Sequence, residues 1–303
     1  MATATLTFLG LAYMKERQDR LFHYITAGIT LVASIAYFSM ASNIGWAPIR
    51  VEFMRNDPVV RGANREIFYV RYIDWVITTP LLLLDLMLTA GMPTPTILWV
   101  MLIDEVMIIC GLVGALVRSS YKWGKYRWSC ITRSSLTSMS AGYFVFGCVA
   151  LFYIGYVLLW EARRNASLLG SEVSKTFIIC GSWTFFLWCL YPVSWGLCEG
   201  GNVISPDSEA AFYGALDFCA KPVFGALLIW GHRNISLSTL GLDISKYGAA
   251  PAPGGYHYEK TQPEGPAGYN NNQGVLNRGT LRNTPSNTAA TAPEATEGTD
   301  AHV

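Results

Sequence analysis

The chain has 303 residues, of which 51% are hydrophobic and only 14% are charged, and its formal net charge is +1. Because a soluble domain usually carries about 25% charged residues, this composition excludes an ordinary soluble protein and favours a membrane protein. The small net charge gives no sign of nucleic acid as a partner. The seven cysteines include no CxxC pair, so we expect free thiols buried as small apolar groups, with neither a disulfide framework nor a metal site.

Apolar segments follow one another along most of the chain. A membrane-spanning helix needs roughly 20 predominantly apolar residues, and six segments satisfy this: residues 21–42, 67–89, 96–117, 143–160, 175–197 and 208–230. A seventh segment, residues 3–14, precedes them and is too short, since about 12 residues of α-helix measure only ~18 Å. We therefore predict an all-α membrane protein, a seven-transmembrane-helix bundle within residues 1–241 whose first helix is truncated.

Polar connections separate these segments. Charged or turn-forming residues cluster at 15–20, 45–66, 91–95, 118–142, 161–174 and 199–207, where we predict loops. From residue 242 the chain is rich in Pro, Gly, Asn and Thr and has few aliphatic residues, so we predict a disordered polar tail over residues 242–303. Lysine and arginine occur in both sets of loops, so their distribution does not settle the orientation in the membrane.

The third predicted helix carries charges that are costly inside a membrane. Arg71, Asp74, Thr78 and Asp85 fall within an arc of roughly 60° when each residue turns the helix by about 100°. The two carboxylates on this face are separated by roughly 16 Å along the axis. One carboxylate in each half of the membrane is the arrangement that a proton relay needs. The alternative is a set of salt-bridged residues that only pack the bundle.

The last predicted helix carries Asp217 and Lys221, one turn apart on the same face. Lys221 is the only lysine near the middle of any predicted span. An amine that is removed from water suits the formation of a Schiff base with an aldehyde. The alternative is an ion pair that holds the bundle together. Pro222 removes a main-chain donor, so we expect an irregular helix at this point.

Aromatic residues line one face of the sixth predicted helix. Trp188 and Trp195 are seven residues apart, and Tyr191 lies beside them. Together with Trp75, which follows Asp74, they would form a wall for a long, flat, apolar ligand. Taken alone the pattern is weak, because aromatic stripes at helical spacing usually belong to the core.

Several sequence runs together indicate one family. Residues 71–86 read RYIDWVITTPLLLLDL, residues 111–116 read GLVGAL, residues 188–195 read WCLYPVSW, and residues 216–221 read LDFCAK. In this combination the chain resembles the microbial (type 1) rhodopsins, and most closely their fungal branch. The resemblance extends from about residue 21 to residue 230.

The resemblance implies a cofactor and a set of proton carriers. Lys221 would hold all-trans retinal as a protonated Schiff base, with Asp74 as counter-ion and proton acceptor and Asp217 as second counter-ion. Arg71 would be the gated cation below them. Asp85 would be the proton donor, protonated at rest. Two hydroxyls would support these carboxyls, that of Thr78 bonded to Asp74 and that of Thr26 bonded to Asp85.

The resemblance also assigns residues around the cofactor and at the proton exit. The residues that would pack on the polyene are Trp75, Met107, Trp188 and Trp195. The residues that would line the counter-ion region are Tyr37 and Tyr191. Asp104 matches a buried carboxyl near the ring end of retinal, and Leu82 matches a position where leucine accompanies green absorption. Glu199 and Glu209 match the paired glutamates of the proton-release group.

Residues 125–141 have no counterpart in the family. The family runs almost directly from a sequence like residues 121–124 to one like residues 143–146, so we interpret this stretch as an atypical loop insertion. The short first segment is the second departure, since family members have a full first helix.

The resemblance predicts a light-driven outward proton pump, a transporter and not an enzyme. The alternative is a retinal photosensor, but sensory relatives typically lack a carboxylate at the donor position, which Asp85 occupies. A chloride pump would need a neutral residue at position 74, a channel would need a row of glutamates in the second helix, and the retinal-free opsin-like proteins lack the lysine. We expect a multi-pass protein of the plasma membrane whose partners are lipid and protons, with a homo-oligomer as a further expectation.

Overall fold

The computed structural model describes residues 1–50, 64–117 and 142–242. The α-helices are α1 Ala2–Tyr13, α2 Leu21–Ala41, α3 Tyr69–Thr89, α4 Thr94–Leu116, α5 Tyr143–Tyr156, α6 Arg163–Leu168, α7 Ser171–Trp195, α8 Pro206–Phe218 and α9 Phe224–Gly231. Turns of π-helix extend three of them, at Val157–Ala162, Gly196–Gly200 and Cys219–Val223. Short 3₁₀ helices lie at Arg17–Arg20, His232–Asn234 and Leu237–Leu240, and two strands are β1 Ala47–Arg50 and β2 Asn64–Ile67.

Six helical segments of the described residues are long and apolar enough to cross a membrane. They are Leu21–Ala41, Tyr69–Thr89, Thr94–Leu116, Tyr143–Leu168, Ser171–Gly200 and Pro206–Asn234. The first helix, α1, has only 12 residues, as predicted. It nevertheless packs on α2, where the Thr5 hydroxyl donates to Thr30 Oγ1 at 2.9 Å. The predicted helical bundle with a shortened first helix is confirmed.

The predicted loop over residues 161–174 is wrong. The helix that begins at Tyr143 continues through a π turn and α6 to Leu168, and the next helix begins at Ser171. Ala162 and Ala166, one turn apart, are fully buried, while Arg163 and Arg164 between them are exposed. The charges thus lie on the outer side of an amphipathic helix. Since a count of charged residues cannot distinguish such a helix from a loop, the sequence suggested a break.

The predicted loop over residues 45–66 contains a β-hairpin. Strand β1 pairs antiparallel with β2, with Ala47 opposite Ile67 and Arg50 opposite Asn64. The two strands have four residues each, too short to give an alternating pattern in the sequence. In β2 the alternate residues Arg65 and Ile67 are buried. The hairpin therefore directs one arginine side chain toward the helices.

The helix around Lys221 is irregular, as predicted from Pro222. Cys219–Val223 forms a π turn between α8 and α9. Proline cannot donate a main-chain hydrogen bond, and a π turn accommodates that loss within a continuous helix. The indole of Trp183 on α7 donates to the Cys219 carbonyl at 3.0 Å. This bond fixes the turn that presents Lys221.

Two groups of buried apolar residues form the core. One group, which includes Leu82, Leu86 and Phe177, fills the half of the bundle around Asp85. The other, which includes Tyr72 and Trp195, fills the half below Lys221. Large apolar side chains such as those of α4 are exposed on the outer faces of the helices, as expected for surfaces that contact lipid.

Two predictions lie outside the described residues: the insertion at 125–141, together with Cys130, and all of the predicted tail except residue 242. The remaining six cysteines are free thiols.

Candidate functional site

Lys221 lies between two carboxylates that come from different helices. Its side chain is 1% exposed, and its Nζ donates to Asp74 Oδ2 and is 3.5 Å from Asp217 Oδ1. Asp74 belongs to α3, and Asp217 precedes Lys221 by one turn in α8. Buried charges are stable only when they are paired, so the three groups stabilise one another. The three residues that the sequence singled out on two separate helices thus form a single cluster.

The two carboxylates differ in how completely they are hydrogen-bonded. Asp217 accepts from Tyr37 Oη at 2.6 Å, from Tyr191 Oη at 2.7 Å and from Trp75 Nε1 at 3.3 Å. Three donors in addition to the lysine satisfy an ionised carboxylate. In contrast, Asp74 Oδ1 has no hydrogen-bond partner among the described residues. Asp74 therefore has an oxygen that is free to take a proton, whereas the oxygens of Asp217 are occupied.

The expected support of Asp74 by Thr78 is accompanied by a local bond. The Thr78 hydroxyl donates at 2.8 Å to the main-chain carbonyl of Asp74. A threonine in a helix has the carbonyl of the preceding turn within reach, and this local bond is formed here. The hydroxyl also interacts with the Asp74 carboxylate, as expected, in addition to this main-chain bond.

An apolar cavity is lined by Lys221 together with residues of α3, α4, α5, α7 and α8. Its walls are almost wholly apolar and include all the aromatic and apolar residues assigned to the polyene, together with Tyr191 and Leu82: Trp75, Leu82, Met107, Trp188, Tyr191 and Trp195. Phe144, Gly147 and Cys148 of α5, which the sequence did not single out, also line it. A long apolar aldehyde fits such a cavity, with its reactive end at the amine.

Asp104 lies behind the cavity wall. Its side chain is fully buried, and its Oδ2 accepts a hydrogen bond of 2.7 Å from Thr79, which lines the cavity. The position agrees with a buried carboxyl near the cofactor, and Thr79 is the link that the sequence did not identify.

On one side of Lys221 lies a network of two arginines and two glutamates. Arg71 Nη1 is 2.8 Å from Glu209 Oε1 and 3.6 Å from Glu199 Oε1. Arg71 therefore pairs with the glutamates, and no ion pair joins it to Asp74 among the described residues. Glu199 also accepts from Tyr72 Oη at 3.2 Å and from Tyr213 Oη at 3.0 Å.

Arg65 of strand β2 is the residue of this network that sequence reasoning missed. It contacts Glu209 Oε2 through Nη2 at 2.6 Å and through Nε at 3.1 Å. Its Nη1 donates to Asn202 Oδ1 and to the Ile204 carbonyl, each at 2.7 Å. Asn64–Ile67 has three polar residues followed by one apolar residue, so the burial of its alternate side chains left no signal in the sequence. Arg65 was one of four arginines in a predicted loop.

These carboxylates also lie near a thiol. Ligand atoms of Cys198, Glu199 and Glu209 are within 4.8 Å of one another. The guanidinium groups of Arg65 and Arg71 already supply positive charge at the carboxylates, so the arrangement disfavours a further cation.

On the other side of Lys221, Asp85 is fully buried, and neither of its carboxyl oxygens has a hydrogen-bond partner among the described residues. The expected bond from Thr26 is absent, because that hydroxyl donates to the Phe22 carbonyl at 2.8 Å and to the His23 carbonyl at 3.1 Å. A carboxyl without a partner in an apolar surrounding is favoured in its neutral form. The apolar half of the bundle thus holds one isolated acid.

Comparison with known proteins identifies the class of this chain. The family model described as bacteriorhodopsin-like protein matches residues 1–235. The chain therefore belongs to the bacteriorhodopsin-like family, whose members are the microbial rhodopsins.

Fungal relatives and solved structures agree with this assignment. The chain is 62% identical to the opsin-like protein carO of Fusarium fujikuroi over 244 residues, covering 80% of this chain and 74% of the relative. It is 31% identical to Opsin-1 of Neurospora crassa over 254 residues, covering 80% and 76%. The structure of the light-driven proton pump LR (Mac) from Leptosphaeria maculans matches with a TM-score of 0.67 and 33% identity, covering 77% of this chain and 91% of that one.

Proposed function

We propose that this protein is a light-driven outward proton pump that carries all-trans retinal on Lys221. The observation that carries the proposal is the sequence of acidic groups through the bundle: Asp85 on one side of Lys221, Asp74 at its amine, and the glutamate pair on the other side. The pump LR (Mac) of Leptosphaeria maculans has a similar structure, which supports it. Bound through a Schiff base, retinal supplies the absorption of light and the light-driven change of shape.

Asp74 is the first acceptor of the proton that leaves the Lys221 nitrogen. The Lys221 nitrogen already donates to Asp74 Oδ2, and Asp74 Oδ1 has no partner among the described residues. When the proton moves to Asp74, the charge separation between these two atoms disappears. Asp217, held by Tyr37, Tyr191 and Trp75, remains as the fixed negative charge.

Asp85 returns a proton to the Lys221 nitrogen from the opposite side. A buried, unpaired carboxyl keeps its proton at rest, so Asp85 is already protonated before the cycle begins. Leu82, one turn before Asp85 on α3, lines the cavity and is 1% exposed. The apolar residues keep the two sides apart, which makes transport directional.

A retinal photosensor is the second candidate, and one observation favours it. The bond from Thr26 to Asp85 is absent, and a donor that no polar group connects to its surroundings can deliver its proton slowly. In a sensor the same carboxyls would serve a slow cycle with little net transport.

The test is light-driven acidification by yeast cells that make the chain in the presence of all-trans retinal. We expect green light to acidify an unbuffered suspension and a protonophore to abolish the change. Cells with an Asp74→Asn chain should remain coloured but fail to acidify the medium. Coloured cells with the unchanged sequence that give no pH change would refute pumping and favour the sensor.

This assay also tests the location. External acidification requires the protein in the plasma membrane with Asp85 on the cytoplasmic side, and we propose both. Alkalinisation that the protonophore abolishes would show the reverse orientation.

A further inference from the structure

The network of Arg65, Arg71, Glu199 and Glu209, called the outer network here, binds its two glutamates in different ways. Glu209 accepts at both oxygens from guanidinium groups, Oε2 from Arg65 and Oε1 from Arg71. Glu199 accepts from the hydroxyls of Tyr72 and Tyr213, and its Oε1 lies 3.6 Å from Arg71 Nη1. A carboxylate that is held by two arginines at both of its oxygens keeps its negative charge. Phenol donors bond to either form of a carboxyl, so the charge of Glu199 depends on the number of cations around the pair.

The number of cations decides whether two neighbouring buried carboxyls share a proton. When only one guanidinium group is present, the two carboxylates repel each other, and one of them holds a proton. Arg71 alone would leave Glu199 and Glu209 in that state. Arg65, whose side chain is 3% exposed, brings a second positive charge. Two cations then match two carboxylates.

Arg65 reaches this position because the hairpin and the loop before α8 hold it from both sides. Its Nη1 is bound to Asn202 and to the Ile204 carbonyl, which orients the other two nitrogens toward Glu209. Among the described residues, the cluster also contains Arg71 and Tyr72 from α3, Ser194 from α7, Cys198 and Glu199 from the π turn that extends α7, and Tyr213 from α8.

We propose that Arg65 is a positioning residue that keeps Glu209 ionised, so that Glu199 and Glu209 share no proton in the resting protein. The proton exit then holds nothing to release when Asp74 is first protonated. Release outward must wait until Asp74 gives up its proton, which reaches the outside through the glutamates late in the cycle. This inference rests on the proposed pumping function and adds the timing of release.

The timing is measured on the purified protein with retinal, using a laser flash and a dissolved pH-indicator dye. We expect the unchanged protein to take up a proton from the medium before it releases one. In Arg65→Gln the glutamates should share a proton, and release should precede uptake. Arg233→Gln is the matched control, since Arg233 is exposed and lies over the ring of Trp230, with its Nη1 on the Trp230 carbonyl. In this variant, proton uptake should still precede proton release, as in the unchanged protein.

A second measurement in the dark does not depend on pumping. Infrared spectra should show one more protonated carboxyl in Arg65→Gln than in the unchanged protein, and Glu209→Gln added to that variant should remove it. Arg65→Lys keeps the charge without the paired contacts and serves if Arg65→Gln does not fold; it should give the dark spectrum of the unchanged protein. Early release by the unchanged protein, or no additional carboxyl in Arg65→Gln, would overturn the proposal. A correct dark spectrum without any flash-induced proton exchange would instead refute the pump.

Discussion

The two halves of the bundle on either side of Lys221 treat buried acids in opposite ways. In the half that is proposed to face outward, here the outer half, Glu199 and Glu209 are each bonded by several donors, among them two arginines and two tyrosines. In the opposite half, here the inner half, Asp85 has no hydrogen-bond partner among the described residues. Pairing with cations favours the ionised form of a carboxylate, and burial without a partner favours the neutral form. In the proposed pump, this difference in resting protonation would give transport its direction before any light is absorbed.

The largest effect is expected where the two halves meet. Lys221→Ala removes the amine to which retinal would be bound, so we predict complete loss of the visible pigment, measured as absorbance after addition of all-trans retinal. Lys175→Ala is the control, because Lys175 is 68% exposed and pairs only with Glu172 in the described structure. That variant should retain its colour. A visible pigment in Lys221→Ala would contradict the assignment.

Removal of the inner acid should slow one step only. Asp85→Asn keeps the shape of the side chain but cannot donate a proton, and a positioned proton donor commonly accelerates a transfer by 10² or more, so we predict roughly a 100-fold slower return of the proton to Lys221. Flash photolysis measures this rate. Loss of the proton from Lys221 to Asp74 should be unchanged. An unaltered return rate would show that Asp85 is not the donor.

The hydrogen bonds to the glutamates of the outer half should contribute to the thermal stability of the protein. Tyr213→Phe removes the hydroxyl that donates to Glu199 Oε2 at 3.0 Å and keeps the ring that lies 4.2 Å from the Arg71 guanidinium carbon. Because a hydrogen bond to a charged group contributes about 1.5–3 kcal/mol, we predict a clear fall in the thermal midpoint of the purified protein. Tyr156→Phe, at an exposed tyrosine, is the control and should leave the midpoint unchanged.

The smallest effect is expected from Thr26→Val. Because its hydroxyl bonds to the Phe22 and His23 carbonyls and not to Asp85, the variant should change the barrier for proton return by less than about 1 kcal/mol, or roughly fivefold in rate. The same flash experiment measures it. A change as large as that of Asp85→Asn would mean that Thr26 bonds to the donor during the cycle.

The sequence was sufficient to predict the central cluster. Lys221, Asp74 and Asp217 are costly in an apolar span, and helical periodicity alone places Asp74 with Asp85 and Asp217 with Lys221. The family resemblance then joined the two helices. The wall of aromatic residues was anticipated for the same reasons, whereas the contribution of α5 was not, since Phe144, Gly147 and Cys148 look like any lipid-facing apolar residues.

The outer network could not be predicted in full, because its decisive contact joins residues that are 144 positions apart. The sequence of residues 45–66 does not distinguish Arg65 from the other three arginines, so it could not predict that a short hairpin directs this side chain toward the helices. The partner of Thr26 was mistaken for a related reason. A helix offers every threonine a local carbonyl, and this bond competes with the longer contact that the resemblance implied.

The most direct test of the account is the stationary photocurrent of a voltage-clamped cell that carries the protein in its plasma membrane. We predict an outward current that lasts as long as the light and does not reverse sign with voltage, since each turnover must move a proton from the Asp85 side to the glutamate side. In Asp85→Asn it should fall to a small fraction of its value. A current that decays to zero in continuous light, or one that reverses at an ion's equilibrium potential, would contradict outward pumping.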